Sequence, residues 1–178
     1  MTGLRSYIKQ NNTHKNIDVT TWKQFRITDL FVISGSKTTK KSVLEKSGDG
    51  PYPYVTTQAT NNGIFGYYAI KTEHGECLTV DSAVLGSCFY QSKDFSASDH
   101  VEILRPKFQM SKNIALFLST IINRTGTIIG YSYIKKRSQK ALAKEFIYLP
   151  ATKTGEPDWQ YMDNFIKKIY DNIYTQLV

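Results

Sequence analysis

The sequence predicts an α+β fold: a twisted, β-rich domain with packed helices, followed by a C-terminal helix. Two observations predict it. Over residues 51–104, short runs of aromatic and β-branched residues alternate with turn signals such as Asn61-Asn62-Gly63. After Pro106, apolar residues recur every three or four positions, which is typical of helices packed on one face. We therefore expect residues 1–150 to form one domain and residues 151–178 a hinge and a docking helix.

The first half of the chain is predicted to form short strands joined by turns. After a polar start over 9–16, residues 18–33 mix aromatic and β-branched side chains, which predicts a strand or turn leading into a helical or extended piece. A polar loop is expected over 36–50. The strand candidates that follow are 52–57, 64–70, 77–80, 87–90 and 101–104. Their close spacing favours a curled sheet over a βαβ unit.

The second half contains a predicted amphipathic helix after Pro106. Ser111 is its expected N-cap, and Gly126 is expected to follow its end. Its buried face is predicted to consist of Ile114, Phe117, Leu118, Ile121 and Ile122. The segments predicted next are a basic, aromatic loop over 131–137, one or two helical turns over 138–144 and a strand over 145–150.

A last helix is predicted after a polar hinge over 153–157, with Asp158 as its N-cap. Five apolar residues on it step by three and four positions, the spacing of a coiled-coil seam. They are Trp159, Met162, Ile166, Ile169 and Ile173. Two interpretations remain open: the stripe folds back on the core of its own chain, or it forms a subunit interface with a partner helix.

Composition restricts the class of protein. The chain has 178 residues, 40% of them hydrophobic and 21% charged, which is ordinary for a globular domain and excludes a disordered or purely coiled-coil chain. No apolar run approaches the roughly 20 residues of a membrane span, and the first six residues lack the apolar core of a signal peptide. Two cysteines, Cys77 and Cys88, suit a reducing compartment. We expect a cytoplasmic protein without a membrane partner.

The net charge of +8 is unevenly distributed along the chain. Residues 1–46 hold nine Lys and Arg against three acids, whereas residues 47–104 hold two against seven. Residues 105–144 hold nine Lys and Arg and no acid. Such a field attracts polyanions, although basic residues that merely solvate the surface would give the same count.

Candidate contacts to double-stranded DNA follow from this charge and from the neighbouring polar and aromatic residues. Lysine and hydroxyl groups position a protein on phosphates, while Asn and Gln side chains read base edges. For Asn61 and Asn62, plain turn chemistry is an equal alternative. The candidates are Lys37, Thr38, Lys40, Lys41, Gln58, Asn61, Asn62, Tyr131, Tyr133, Lys135, Lys136 and Arg137.

No catalytic, metal or cofactor site is predicted. The three histidines, His14, His74 and His100, have no Cys or Glu at metal-ligand spacing. No acid is followed two positions later by Lys, the pairing that metal-dependent nucleases usually place on one strand. Asp49-Gly50-Pro51-Tyr52 resembles the Asn/Asp-Pro-Pro-aromatic pocket of amino-methyltransferases, but Gly50 stands in place of a proline and no glycine-rich cofactor loop precedes it.

Five motifs, in order, match one family. They are Trp22-Lys23-Gln24-Phe25-Arg26-Ile27-Thr28-Asp29-Leu30-Phe31, Gly50-Pro51-Tyr52-Pro53-Tyr54-Val55, Ser98-Asp99-His100-Val101, Leu142-Ala143-Lys144-Glu145-Phe146-Ile147-Tyr148-Leu149-Pro150 and Gly155-Glu156-Pro157-Asp158-Trp159-Gln160-Tyr161-Met162. Over residues 20–178 the chain resembles one target recognition domain of a type I restriction–modification specificity subunit.

The resemblance implies a non-catalytic subunit that binds DNA in sequence and directs an adenine methyltransferase subunit, and a restriction subunit, to the site. The usual subunit has two recognition domains and two long helices, whereas this chain has one of each. The resemblance therefore leaves three alternatives, a half-subunit, a standalone gene product or a fragment, and a homodimer would restore two recognition domains. The alternatives are a catalytic nuclease or methyltransferase-associated domain, and a protein-interaction module.

Overall fold

The computed structural model describes residues 19–177, which contain nine strands and five α-helices. In order, these are β1 (Lys23–Arg26), α1 (Ile27–Leu30), β2 (Phe31–Gly35), α2 (Lys41–Ser47), β3 (Tyr52–Val55), a 3₁₀ turn (Asn61–Gly63), β4 (Ile64–Tyr68), β5 (Cys77–Asp81), β6 (Cys88–Gln91), β7 (Ser96–Ala97), β8 (Val101–Pro106), α3 (Lys112–Ile129), α4 (Gln139–Leu142), β9 (Phe146–Leu149) and α5 (Trp159–Leu177). The predicted α+β class is confirmed. The predicted polar start over 9–16, and His14, lie outside the described residues.

The strands form three small sheets. The largest has the order β2-β8-β5-β6 and is antiparallel throughout, with Leu78 opposite Leu104 and Tyr90. A second sheet has the order β4-β3-β7, in which β3 and β7 are parallel. The first and last strands, β1 and β9, pair as an antiparallel ribbon, with Phe25 opposite Ile147. Because β9 returns to β1, the two ends of the domain are joined.

The main core lies between the four-stranded sheet and helices α1, α3 and α5. Alternation along β5 and β8, and the i, i+3, i+4 spacing on α3, bring apolar side chains to this layer. Its largest fully buried members are Phe31, Ile27, Leu78, Leu104, Leu118, Ile122, Leu142 and Ile147. A smaller cluster beneath β3 and β7 contains Val55, Cys77, Phe95, Ala97, Val101 and Ile103.

Helix α3 begins where predicted and ends later. The Ser111 hydroxyl accepts a hydrogen bond from the Ile114 amide at 3.2 Å, which confirms the N-cap. The prediction that Gly126 follows the helix is wrong, because the helix continues to Ile129 and ends at Gly130 with φ +75°. Gly126 is buried, and a Cβ there would lie 2.6 Å from Nη1 of Arg137, so the glycine leaves room for that guanidinium.

The predicted loop over 36–50 contains an undetected helix, α2. Lys40 precedes it without a side-chain cap, and Leu44 is its one buried residue. A helix without a capping side chain and with a single apolar anchor has neither of the signals by which sequence predicts helices.

Helix α5 begins as predicted, with Asp158 Oδ1 accepting from the Tyr161 amide at 2.9 Å. The apolar stripe on this helix divides into two parts. Trp159 stacks on Phe108 with ring centroids 3.9 Å apart, and Met162 is fully buried in the main core. Assigning Met162 to a subunit interface is therefore wrong, because its side chain is already covered by its own domain. Ile166 also packs partly on the core.

The distal part of the stripe remains uncovered. Ile169 and Ile173 are 41% and 48% exposed, and Tyr174 beside them is also exposed. The start of the stripe thus folds back on its own core, and for its exposed end the subunit interface stays a prediction. Within residues 19–177, no helix combines the length and apolar character needed to cross a membrane.

Candidate nucleic-acid interface

Three loops and the end of α3 surround a recess of about 400 Å³. The loops are the turn over 58–63, the connection between β5 and β6, and the segment after α3. The residues that line the recess are Ala59, Leu85, Gly86, Ser87, Phe89, Asn123, Thr127, Gly130 and Tyr131. The turn over 58–63, through Ala59, and the segment after α3, through Gly130 and Tyr131, thus line one recess although they are far apart in sequence.

The turn over 58–63 is stabilised by the side chains of Asn61 and Asn62, which were predicted to contact DNA. Asn61 and Asn62 have φ of 50° and 55°, and Gly63 has φ of 74°, values that Asn and Gly tolerate best. Nδ2 of Asn61 donates to the Ile64 carbonyl at 2.8 Å, and Nδ2 of Asn62 donates to the Tyr90 carbonyl at 2.9 Å. These bonds confirm the turn chemistry. Both residues remain exposed.

Gln58 serves the same turn. It is half-buried, and its Nε2 donates to the Ile64 carbonyl at 2.6 Å. The side chain therefore braces the base of the turn from within.

The loop after β5 lines one side of the recess, and no residue of this loop was predicted to belong to the site. The carboxylate of Asp81 accepts hydrogen bonds from the backbone amides of four residues, and this holds the loop in a tight curl. Val84 and Leu85 are left exposed beside the recess. An Asp followed within five positions by Gly is the signal that would have predicted such a capped loop. The four amides belong to Ala83, Val84, Leu85 and Gly86.

The loop after α3 presents aromatic and basic side chains to solvent. Tyr133, Lys135 and Lys136 are exposed, and Tyr131 is half-buried against the recess. Nζ of Lys136 lies 5.7 Å from the centre of the Tyr133 ring, a cation–π distance. Burial and the neighbouring Glu145 carboxylate raise the pKa of Tyr131 to about 12, and its hydroxyl donates to Glu145 Oε2 at 3.2 Å.

The assignment of Arg137 to DNA contact is wrong. Its side chain is fully enclosed and forms an ion pair with Glu145, which is equally enclosed. The guanidinium also donates to the Gly86 carbonyl at 2.7 Å and to the Ile122 carbonyl at 2.9 Å. A guanidinium enclosed by these partners has no path to a phosphate. Arg137 instead ties the loop after β5 to helix α3 and to Glu145.

The other predicted group, 37–41, lies between β2 and the start of α2. Lys37, Thr38, Lys40 and Lys41 are all exposed. Two hydrogen bonds hold the backbone of this segment in place. The Lys37 amide donates to Glu73 Oε1 at 2.6 Å, and the Tyr54 hydroxyl donates to the Thr39 carbonyl at 3.1 Å.

This lysine group is connected to the turn through β4. Nζ of Lys41 lies 4.5 Å from the centre of the Phe65 ring, and Phe65 is two residues from Gly63. The contacts therefore run from the lysine group, along the start of β4, to the turn and the recess.

No group of three or more His, Cys, Asp or Glu side chains within residues 19–177 is arranged to hold a metal ion. Burial raises the pKa of the Cys77 and Cys88 thiols to about 12, which makes both of them poor nucleophiles at neutral pH.

A family comparison agrees with the motifs in the sequence. The family model described as "Type I restriction modification DNA specificity domain" matches residues 20–177. The chain belongs to this family. The range matched is nearly the same as that over which the five motifs indicated the resemblance, and the resemblance is confirmed.

One curated relative is the specificity subunit S.BcgI of a type II restriction enzyme from Heyndrickxia coagulans. It is 30% identical over 158 residues, which make up 85% of this chain and 45% of the relative. The chain thus spans less than half the length of this specificity subunit.

Solved structures share the fold. The S subunit of a type I restriction–modification system from M. genitalium superposes with a TM-score of 0.59 at 14% identity, over 88% of this chain and 41% of that one. The HsdS subunit from Thermoanaerobacter tengcongensis gives 0.58 at 11% identity, over 92% and 41%. A chain from a type I R-M system studied for complex assembly gives 0.60 at 11% identity, over 97% and 44%. This DNA specificity domain therefore has the fold of about two fifths of such a subunit.

Proposed function

We propose that this DNA specificity domain recognises a sequence in double-stranded DNA and directs the methyltransferase and endonuclease subunits of a restriction–modification system to it. Residues 1–150 recognise DNA, and residues 151–178 dock the partner. The observation that carries the proposal is the convergence of the turn over 58–63 and the basic loop after α3 on one recess. Membership of the DNA specificity family supports it.

Phosphate contacts in this proposal come from two groups of exposed lysines. One consists of Lys37, Lys40 and Lys41, and the other of Lys135 and Lys136 in the loop after α3. Lysines positioned on phosphates provide affinity without sequence preference. Since residues 105–144 carry no acid, no carboxylate within the second basic segment weakens its field.

Base reading comes from the turn over 58–63. An Asn amide carries two N–H donors and one acceptor oxygen, and Nδ2 of Asn61 uses a donor for the Ile64 carbonyl. A second donor and the oxygen are what an Asn side chain needs to pair with the N6 and N7 edge of adenine. The internal bond fixes the orientation in which they are presented.

The chemistry of the system is assigned to other subunits, of which the modification subunit is an adenine methyltransferase. The missing acid-x-Lys pairing and the absence of a glycine-rich cofactor loop in the sequence support a non-catalytic role. The exposed end of α5, with Ile169 and Ile173, is the docking surface for that subunit, for a restriction subunit, or for a second copy of this chain. Two copies would carry two recognition domains and favour a target with two half-sites.

The test is the salt dependence of DNA binding. A duplex selected by the protein from a randomised pool is titrated from low to physiological salt, and affinity should fall steeply. Replacing Lys135 and Lys136 with Ala should reduce the slope of log K against log salt by about 2 if each contacts one phosphate. The matched control is Lys167→Ala/Lys168→Ala, an exposed lysine pair on α5 that should leave the slope unchanged.

Salt-independent binding, or an equal effect of the two lysine pairs, would remove the electrostatic basis of the proposal. Added Mg²⁺ or S-adenosylmethionine tests the catalytic alternative on the same preparation. Cleavage or methylation that a point substitution in this chain abolishes would overturn the non-catalytic assignment.

A further inference from the structure

We infer that Tyr133 and Ile134 form a wedge that inserts between base pairs and bends the DNA that this domain binds. The inference rests on the proposed function and adds a specificity element to it. Ile134 is 95% exposed and Tyr133 is 74% exposed, and no large hydrophobic side chain of the described residues is more exposed than Ile134.

The two residues occupy the tip of a closed turn. The Ser132 amide donates to the Lys135 carbonyl at 3.0 Å, and the Lys135 amide donates to the Ser132 hydroxyl oxygen at 3.2 Å. These reciprocal bonds join the two ends of a four-residue turn and leave Tyr133 and Ile134 projecting between them. At this exposure neither the aromatic nor the branched aliphatic side chain contributes to the core of its own domain.

The base of the turn is held rigidly. Nζ of Lys135 donates to the Ile129 carbonyl at 2.6 Å, which ties the turn to the end of α3. On the other side, Arg137 is locked into its buried ion pair with Glu145, and its guanidinium lies 5.1 Å from the centre of the Tyr131 ring. Because the base is fixed before binding, the tip loses little conformational entropy on insertion.

The surrounding charge identifies DNA as the occupant. Lys135 and Lys136 follow the tip directly, and the nearest acid in sequence, Glu145, is buried and paired. Two lysines beside an apolar tip suit a base stack with a phosphate backbone next to it. Apolar side chains inserted at a base step unstack it and bend the duplex, and the phosphate contacts that the bend adds offset the loss of stacking.

A wedge of this kind gives specificity without hydrogen bonds to bases. Pyrimidine–purine steps unstack most easily, so a target containing one at the insertion point binds more tightly than a target with a stiffer step. The turn over 58–63 then reads base edges, while the tip reads the deformability of a neighbouring step.

The experiment compares a tip variant with a matched control in complexes with the selected duplex. Tyr133→Ser/Ile134→Ser removes both apolar groups, and Ile128→Ser makes the same kind of change at a residue that is 77% exposed on α3. Energy transfer between dyes on the duplex ends reports bending, and permanganate reactivity reports unstacked thymines. Thermal unfolding without DNA verifies that each variant folds.

The wild type and Ile128→Ser should bend the duplex. Tyr133→Ser/Ile134→Ser should leave it straight and bind about tenfold more weakly, as expected for the loss of one stacked insertion. The salt slope should be the same for all three proteins, because the lysines remain.

Three results are distinguishable. If the wild type shows no salt-dependent binding, the proposed function itself fails, and the wedge fails with it. If the wild type binds with salt dependence but leaves the duplex straight, or if the tip variant bends it equally, the wedge is overturned and the proposed function stands. Normal bending by the tip variant with lost binding of a methyltransferase subunit would assign the tip to a protein partner and overturn the wedge.

Discussion

Arg137 and Glu145 form an ion pair in which neither side chain is accessible to solvent. The pair joins elements that are distant in sequence: Arg137 also bonds the Gly86 carbonyl after β5 and the Ile122 carbonyl within α3. Glu145 in turn accepts a hydrogen bond from the Tyr131 hydroxyl at 3.2 Å. The last basic residue of the loop after α3 thus positions the loop, while the lysines before it face outward.

Replacing Arg137 with Met should lower the free energy of unfolding by about 3–5 kcal/mol, because Glu145 is left buried without its partner. The double variant Arg137→Met/Glu145→Leu should recover much of this loss, since it removes both charges. Urea denaturation of the single and double variants measures the coupling. Lys136→Ala, next to Arg137 but exposed, should change stability by less than about 0.5 kcal/mol.

A small effect of Arg137→Met on unfolding, with a large effect on DNA affinity, would contradict the structural role and restore Arg137 as a phosphate contact. Equal losses in the single and double variants would show that the two charges are not coupled.

Elements could be predicted wherever the sequence carries a local signal. Alternating aromatic and β-branched runs indicated β3, β4, β5, β6, β8 and β9, whereas the two-residue strand β7 was not predicted. Ser111 and Asp158 marked the two long helices by their capping side chains. The charge of Arg137 pointed to DNA because its neighbours are those of a phosphate-binding loop. Its burial depends on Glu145, eight residues away, and on the space left by Gly126, and no local pattern reveals either contact.

For the candidate site too, the sequence indicated residue types but not the contacts between distant segments. Asn61, Asn62 and the lysine segments were selected by residue type, and their exposure agrees with that selection. The loop capped by Asp81 was missed, because its place beside the recess arises from the pairing of β5 with β6. For α5, a constant apolar spacing predicted one continuous stripe. The domain covers this stripe only as far as Ile166, because the core extends no further along the helix.

The exposed end of α5 should control assembly without controlling the fold. Ile169→Asp/Ile173→Asp places charges on a surface that is open in the isolated chain, so the free energy of unfolding should stay within about 0.5 kcal/mol of the wild type. The ability of the variant to pair with itself or with a methyltransferase subunit should be lost, as measured by sedimentation equilibrium and by co-purification. Met162, on the same helix but fully buried, provides the contrasting substitution.

Met162→Asp buries a charge in the main core and should unfold the domain, since Met162 has no exposed surface. If Ile169→Asp/Ile173→Asp also unfolds the domain, the whole helix belongs to the core. If the wild type is a monomer that binds no methyltransferase subunit, this surface has no docking role.

Glu102 on β8 gives the fold a defined pH dependence. Its Oε2 is buried without a hydrogen-bond partner. Burial raises the pKa of the carboxyl above its ordinary value of 4.5, and the nearby side chains of Gln139 and Ser82 and the charge of His100 offset part of the rise. A carboxyl whose pKa is raised by folding stabilises the fold below the unfolded pKa, and this contribution is lost as the pH rises through the folded pKa.

Glu102→Gln should therefore raise the melting temperature at neutral pH, because it replaces a buried carboxylate with a neutral group of the same shape. The difference in melting temperature between the variant and the wild type should shrink as the pH falls. It should vanish below about pH 4.5, where the carboxyl is protonated in both the folded and the unfolded state. Thermal unfolding across this range measures it, with Glu76→Gln as an exposed control at neutral pH. A variant that is less stable than the wild type at neutral pH would show that the ionised carboxylate has a stabilising partner in the fold.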